Sequence, residues 1–249
     1  MKKIIVFDLD GTLAQSKSPL DKEMSTLLSN LLQKKAVAIV SGGGFTQFEK
    51  QVINRFSCPK NLLENLIIFP TKGGSMYKFE MGIWHKIYSE SFSEIDKTKI
   101  VTAVDTVSHE ENLLPKEHFG KRLEDREAEF TFSALGQEAP QIEKEKWDPD
   151  YTKRKILQNK LQKLLPEFDV AIGGSTSIDI TSKHIDKAFA INQICTRLGY
   201  KKEEILFIGD AFFPGGNDAS VKTTGIETIA VKNVEETKNF IRKIIDEDK

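Results

Sequence analysis

The chain has 249 residues, of which 36 are basic and 37 acidic, so its formal net charge is −1. This near-neutral balance gives no global reason to bind nucleic acid or an anionic membrane, and we expect a small-molecule partner instead. Cys58 and Cys195 have no paired spacing, so we expect neither a disulfide framework nor a zinc site. No apolar run is long enough to span a membrane, so we expect no membrane span. Both observations favour a protein of the reducing cytoplasm.

The first predicted element is a buried strand that ends in two carboxylates. Residues 4–7 are all apolar, which is typical of a strand covered on both faces of a parallel sheet. Asp8 and Asp10 follow at the strand period, so both are expected to face one reaction centre at the carboxyl end of the strand, where open α/β sheets bind ligands. Two acids held so close repel each other unless a cation lies between them. Read alone, the pattern could also be a strand that ends in a polar turn.

Helices and strands then alternate along the chain. Apolar residues at helical spacing predict helices, and short apolar runs that close on glycine or serine predict strands. In order, we predict a helix at 20–32, a strand at 36–40, a helical stretch to residue 56, a strand at 66–69 and a hairpin-like pair at 73–79 and 82–84.

The pattern changes between residues 85 and 183. A helix, strand, helix, strand order replaces the earlier rhythm, and the alternation at 127–133 predicts a half-exposed antiparallel sheet. The earlier rhythm returns with a helix at 187–198, strands at 205–209 and 228–231, and a helix at 234–245. We therefore predict a discontinuous α/β core, residues 1–84 and 184–249, with an inserted α+β domain at 85–183.

The polar residues at the predicted strand ends suit a phosphate ester. Asp8 can attack phosphorus as a carboxylate nucleophile, and Asp10 can protonate the leaving oxygen and later activate water. Ser41, with the backbone N–H groups of Gly42 and Gly43, can bind phosphoryl oxygens. Lys187 can neutralise the same oxygens and orient Asp8.

Two further acids complete a candidate metal site. Asp210 ends the strand at 205–209, and Asp218 returns in the glycine-rich loop that follows. With Asp8 and Asp10 they offer hard oxygen ligands, which suit Mg²⁺ bridging to a substrate phosphate.

On these motifs the chain resembles the haloacid dehalogenase superfamily of phosphotransferases. The signature Asp8-Leu9-Asp10-Gly11-Thr12, then Ser41, Lys187, and Asp210 with Asp218 occur in the family's order. The resemblance implies a Rossmann-like core with an inserted type IIB cap, and it adds Thr12 to the phosphate-binding residues. Within the superfamily the spacing is most similar to that of the eukaryotic-type phosphomannomutases.

The chain departs from those mutases where they bind a second phosphate. In the mutases, arginines of the cap and of the loop after the first motif hold it, and Arg126 matches one of them. Lys17, Gln137 and Lys144 stand where other arginines are expected. Lysine lacks the bidentate fork and glutamine lacks the charge, so this weaker clamp favours attack by water.

The sequence therefore favours a Mg²⁺-dependent phosphatase acting on a sugar monophosphate, such as mannose 6-phosphate, through an aspartyl-phosphate intermediate. Ser177 and Asp179 would reach sugar hydroxyls, and Arg126 and Gln137 would line the cap side. One alternative is a phosphomannomutase that interconverts mannose 6-phosphate and mannose 1-phosphate. An alternative of another class is a non-catalytic sugar-phosphate-binding protein. Both a monomer and a homodimer remain open.

Overall fold

The computed structural model describes residues 2–15, 18–56, 58–110, 114–173, 176–213 and 215–247. The chain divides into two compact units, the core unit of residues 1–89 and 185–249 and the insert unit of residues 90–184. The first boundary lies after residue 89 rather than after residue 84, because the strand that begins at Ile83 runs on to Ser89 and stays in the core sheet.

The described elements alternate between strands and helices through most of the chain. The strands are β1 Ile4–Asp8, β2 Ala36–Val40, β3 Leu66–Phe69, β4 Ser75–Glu80, β5 Ile83–Ser89, β6 Leu123–Asp125, β7 Glu129–Ser133, β8 Phe168–Ile172, β9 Ser177–Ser182, β10 Ile205–Gly209 and β11 Glu227–Ala230. The α-helices are α1 Lys22–Leu32, α2 Phe45–Gln51, α3 Glu94–Glu110, α4 Gln141–Trp147, α5 Thr152–Leu164, α6 Lys187–Leu198 and α7 Val234–Glu247. Among these described helices, none has the length and apolar character that crossing a bilayer requires.

The core unit is built on a seven-stranded sheet in the order β11-β10-β1-β2-β3-β4-β5. The first five strands of that order are parallel, and β4 and β5 add an antiparallel edge. All five residues of β1 are buried, and its alternate side chains enter different apolar clusters: Ile5 and Phe7 pack on the side of α1 and α7, whereas Ile4 and Val6 pack on the side of α6. The predicted α/β fold with a parallel core sheet is confirmed.

The insert unit has its own sheet and its own apolar core. Its four strands are antiparallel in the order β6-β7-β9-β8, and residues of α3 and α5 pack with them. The prediction of a half-exposed sheet is wrong for β7, whose five residues are all buried. Its polar positions are covered too, because the Glu129 carboxylate accepts a hydrogen bond from Thr131 (3.2 Å) and pairs with Arg126 (3.4 Å).

A buried lysine ties the start of α1 to α7. The Lys238 ammonium, 4% exposed, lies 2.8 Å from Asp21 Oδ2, 2.8 Å from Glu23 Oε2 and 2.7 Å from Glu235 Oε1. Asp21 also caps α1 by accepting a hydrogen bond from the backbone N–H of Met24 (2.7 Å). The hydrogen bond from Lys238 lowers the pKa of Glu23, so the cluster favours the ionised carboxylates.

We expect Lys238→Met, which keeps the apolar stem and removes the charge, to lower the melting temperature by a few degrees at neutral pH. A carboxylate whose pKa is lowered by folding stabilises the protein above its unfolded pKa, and this contribution disappears as pH falls through its folded pKa. The difference between variant and wild type should therefore shrink below about pH 4. Thermal melts across pH test this, with the exposed Lys163→Met as control; a difference that persists in acid would contradict it.

Candidate active site

The carboxyl ends of three parallel strands bring the candidate residues to one edge of the core sheet. In register, Asp8 pairs with Val40 of β2, and Phe7 pairs with Ile208 of β10. Ser41 and Asp210 each follow closely on those paired positions, so both emerge beside Asp8. The structure brings one carboxylate oxygen each of Asp8, Asp210 and Asp218 within 4.8 Å of one another, and we call these residues the acid cluster.

Lys187 lies inside the acid cluster. It is the first residue of α6, a helix capped by Asp186, whose carboxylate accepts a hydrogen bond from the N–H of Phe189 (2.9 Å). Its ammonium donates to Asp8 Oδ1 and to Asp218 Oδ1, both at 2.5 Å. All three side chains are almost completely buried, so these are charge-assisted contacts shielded from water.

One ammonium does not balance the acids around it. Burial raises the pKa of the Asp8 carboxyl to about 7; Lys187 opposes this rise and Asp218 adds to it. Burial alone would lower the pKa of the Lys187 ammonium, but the charges of Asp8 and Asp218 raise it above its usual value. Lys187 therefore stays charged, and the surplus negative charge is relieved by a proton on Asp8 or by a further cation.

The acid cluster fits a hard divalent cation. Asp8 Oδ2 is buried and has no hydrogen-bond partner among the described residues, although its other oxygen is bound by Lys187. Asp210 and Asp218 add oxygen ligands of the type that Mg²⁺ prefers. The donor set, the unpartnered oxygen and the charge surplus all favour Mg²⁺.

Two glycines make room for these carboxylates. Gly11 has φ +87°, and a Cβ on it would lie 2.4 Å from Asp210 Oδ2. A Cβ on Gly209 would lie 2.4 Å from Asp218 Oδ2. Sequence reasoning named Gly11 only as part of the signature motif and gave Gly209 no role, although the position of Gly209 directly before Asp210 was a usable signal.

The positions of Asp10 and Thr12 differ from those that the motif alone suggests, and their predicted roles in catalysis and phosphate binding remain predictions. The predicted metal ligand Asp10 is not part of the acid cluster, because β1 ends at Asp8 and the chain then turns, so strand alternation no longer applies. Thr12, expected to bind phosphate, instead directs its hydroxyl to Asp210 Oδ1 at 3.3 Å and is fully buried. Its hydroxyl therefore helps to hold a carboxylate of the cluster.

A cavity adjoins the acid cluster within the core unit. Its volume is about 570 Å³, and its lining includes Gly11, Asp210 and residues at the start of α7. Small-molecule sites commonly occupy about 300–1,000 Å³. A ligand of hexose phosphate size can therefore approach Asp210 from this side.

The loop from Ser41 to Gly44 is fixed by a turn that sequence reasoning missed. The carbonyl of Ser41 accepts from the N–H of Lys72 (2.8 Å), and that of Gly43 accepts from Thr71 (3.0 Å). In a trans peptide the N–H points opposite to its carbonyl, so the N–H groups of Gly42 and Gly44 point away from this turn. The N–H of Gly43 lies 3.4 Å from the Ser41 hydroxyl, and a Cβ on Gly42 would meet open space.

In the insert unit, Arg126 is already paired. Its Nε and Nη2 donate to Glu124 Oε2 at 2.9 and 2.7 Å, and its Nη1 lies 3.4 Å from Glu129 Oε1. Burial alone would lower the pKa of the Arg126 guanidinium, but the hydrogen bond and the charge of Glu124 raise it above its usual value. A phosphate that bound Arg126 would have to share it with these carboxylates.

Gln137 serves the backbone of the insert unit. Its Nε2 donates to the carbonyls of Arg122 and Thr131, both at 3.1 Å, so both amide hydrogens have partners. Lys144 donates to the backbone carbonyl of Gln137 at 3.1 Å. Lys17, the remaining position expected to hold phosphate, lies outside the described residues.

The structure brings Ser177 and Asp179 together on β9. Both are half-buried, and a Cβ on Gly173 would lie 2.6 Å from Ser177 Oγ and 2.4 Å from Asp179 Oδ2. The two side chains therefore converge over Gly173, which leaves them space. Their predicted contact with sugar hydroxyls remains a prediction.

Comparisons with known proteins agree with the geometry. A family profile described as haloacid dehalogenase-like hydrolase matches residues 5–245. A probable phosphomannomutase of Caenorhabditis elegans is 24% identical over 99% of this chain and 96% of its own length. The phosphomannomutase of Encephalitozoon cuniculi is 26% identical over 95% and 91%. The IMP-bound IMP-nucleotidase of Plasmodium falciparum shares the fold, with a TM-score of 0.71 at 16% identity over 98% of this chain and 68% of that chain.

We expect Asp8→Asn to change how the stability of the metal-free protein depends on pH. Folding raises the pKa of Asp8 to about 7, so the folded state holds the proton more tightly and stability falls as pH rises towards 7. Asparagine removes this charge, so the variant should lose less stability than the wild type between about pH 4 and pH 7. Thermal melts in chelator, repeated with Mg²⁺, measure it; parallel pH profiles for the two proteins would contradict it.

Proposed function

The chain belongs to the haloacid dehalogenase-like hydrolases, and we propose that within this family it is a Mg²⁺-dependent hexose phosphotransferase of the phosphomannomutase type. It is an enzyme, and its family chemistry is that of a phosphotransferase or phosphatase. The observation that carries the proposal is Asp8, buried with one oxygen held 2.5 Å from Lys187 and the other without a partner among the described residues.

Asp8 is placed to act as the nucleophile. One oxygen of the Asp8 carboxylate forms a bond to phosphorus while the bond from phosphorus to the sugar oxygen breaks, and Asp10 gives its proton to that oxygen. In the second half of the reaction, Asp10 takes the proton of the accepting sugar hydroxyl. The oxygen of that hydroxyl attacks the phosphorus, and the bond between phosphorus and Asp8 breaks. Mg²⁺, when bound by Asp8, Asp210 and Asp218, supplies charge neutralisation for the phosphoryl group.

Lys187 keeps the Asp8 carboxylate in place during both halves of the reaction. One of its two hydrogen bonds holds Asp8 Oδ1 and the other holds Asp218 Oδ1, so the orientation of the Asp8 carboxylate is fixed. The N–H groups of the loop after β2 are suited to phosphoryl oxygens, because their orientation is set by the carbonyls on the opposite side of each peptide. The geometry thus supplies positioning and electrostatics, which phosphoryl transfer chiefly needs.

The relatives favour transfer to a sugar hydroxyl over transfer to water. Those named above as phosphomannomutases match this chain along nearly their whole length. This reverses the preference of the sequence analysis for hydrolysis. The non-catalytic alternative is set aside, because the chain belongs to an enzyme family.

Hydrolysis remains the second candidate, and the insert unit gives a specific reason for it. Gln137 has no charge and uses its amide hydrogens on backbone carbonyls, while Arg126 is paired with Glu124. A weak hold on a second phosphate would let a bisphosphate intermediate escape and water react instead.

The proposal also covers the class of substrate and the cellular location of the protein. The partner is a small phosphorylated sugar, such as mannose 6-phosphate. Both cysteines are free, which suits a reducing cytoplasm. Subcellular fractionation of the source cells would test the location.

Incubation with mannose 6-phosphate and a catalytic amount of a hexose bisphosphate separates the two candidates. We expect mannose 1-phosphate to accumulate, because the phosphoryl group on Asp8 returns to a sugar hydroxyl. Phosphorus NMR identifies the products. Free mannose with inorganic phosphate would instead support the phosphatase, and neither product across a panel of hexose phosphates would contradict the substrate class.

We expect Asp8→Asn to abolish turnover, because an amide oxygen is too weak a nucleophile to form the acyl phosphate. Asp10→Asn should lower kcat by about 10²-fold or more through loss of proton transfer. Steady-state kinetics measure both, with Asp169→Asn, an exposed acid in the insert unit, as the matched control. Undiminished turnover in Asp8→Asn would refute the assigned nucleophile.

A further inference from the structure

A left-handed turn at residues 71–73 contacts the loop after β2 on one side and α6 on another. The N–H groups of Thr71 and Lys72 hold the carbonyls of the loop after β2, as described above. On another side, a Cβ on Gly73 would lie 2.7 Å from the Cβ of Ala190 in α6, the helix that begins with Lys187. The Tyr88 hydroxyl donates to the Gly73 carbonyl at 2.6 Å. The turn is therefore held in place by three separate elements.

The turn keeps an unfavourable conformation. Thr71, Lys72 and Gly73 have φ values of +49°, +58° and +101°, a region that only glycine adopts readily. Thr71 is β-branched, and its buried hydroxyl has no hydrogen-bond partner among the described residues. Strain of this kind persists where surrounding contacts impose it, and it concentrates at functional sites.

The charge at this sheet edge leaves a place for a second lysine. The single ammonium of Lys187 contacts two of the three acids of the cluster, Asp8 and Asp218, and a phosphate dianion would add further negative charge. In the described residues of the loops that follow β1, β2 and β3, Lys72 is the one basic side chain, and the longer segment after β10 contributes Lys222. It is half-buried, and its ammonium forms no hydrogen bond or ion pair with any residue that the structure describes.

We propose that Lys72 is a further phosphate-binding residue, which contacts the phosphoryl group at the loop from Ser41 to Gly43. Like the assigned chemistry, this inference rests on the proposed phosphoryl transfer. The strained turn carries Lys72 to that loop, and the bound phosphate supplies the counter-ion that the ammonium lacks. Charge attraction, rather than the shape of the turn, is the contribution of this side chain.

Binding of inorganic phosphate in the presence of Mg²⁺, measured by titration calorimetry, tests the proposal without turnover. We expect Lys72→Met to weaken binding about tenfold, the equivalent of one charge-assisted hydrogen bond, and Lys72→Arg to restore most of it. Lys50→Met removes the same charge from an exposed position on α2 and should bind as the wild type does.

Lys72→Gly separates charge from backbone conformation. Glycine relieves the positive φ, so this variant should melt at a higher temperature and still bind phosphate as weakly as Lys72→Met. Wild-type affinity in either variant, or no phosphate binding by the wild type, would overturn the proposal. If the wild type binds phosphate and Lys72→Met does not, but no hexose phosphate is turned over, the proposed function fails and the role of Lys72 stands.

Discussion

The contact of Lys187 with Asp8 and Asp218 is the interaction on which the rest of the site depends. It places one ammonium against two buried carboxylates, with Asp210 close by. Removing such charges from water is costly, and the mutual attraction compensates only when the geometry is good. The protein keeps a surplus of negative charge here, so its metal-free state is less stable than a balanced or apolar interior would be. That surplus would favour a bound cation, which would allow Asp8 to ionise.

Sequence reasoning located the parts of the site that follow directly from the ends of parallel strands. Asp8, Ser41 and Asp210 could be placed together because short apolar runs define strands and parallel strands share an edge. It could not show that Asp10 lies outside the acid cluster, because a strand's last residue is not visible in its apolar pattern. The strained turn at 71–73 was missed because no residue type there, apart from glycine, announces a positive φ.

Predictions for the insert unit were weaker because tertiary partners decide them. Glu129 looked exposed by alternation, but Arg126 and Thr131 cover it. Gln137 looked available to a sugar, but two carbonyls from distant positions take its amide hydrogens. In the proposed function, the difference between hydrolysis and mutase chemistry depends on such residues, since a second phosphate that bound Arg126 would compete with Glu124.

The separate apolar core of the insert unit has an evolutionary consequence. The acid cluster, Lys187 and the loop after β2 all belong to the core unit, whereas residues 90–184 have their own sheet and apolar cluster. Substitutions can therefore accumulate there without disturbing the packing around Asp8. Proteins with this architecture can therefore change their substrate specificity through the insert unit, while the residues of the core unit that carry the chemistry stay the same.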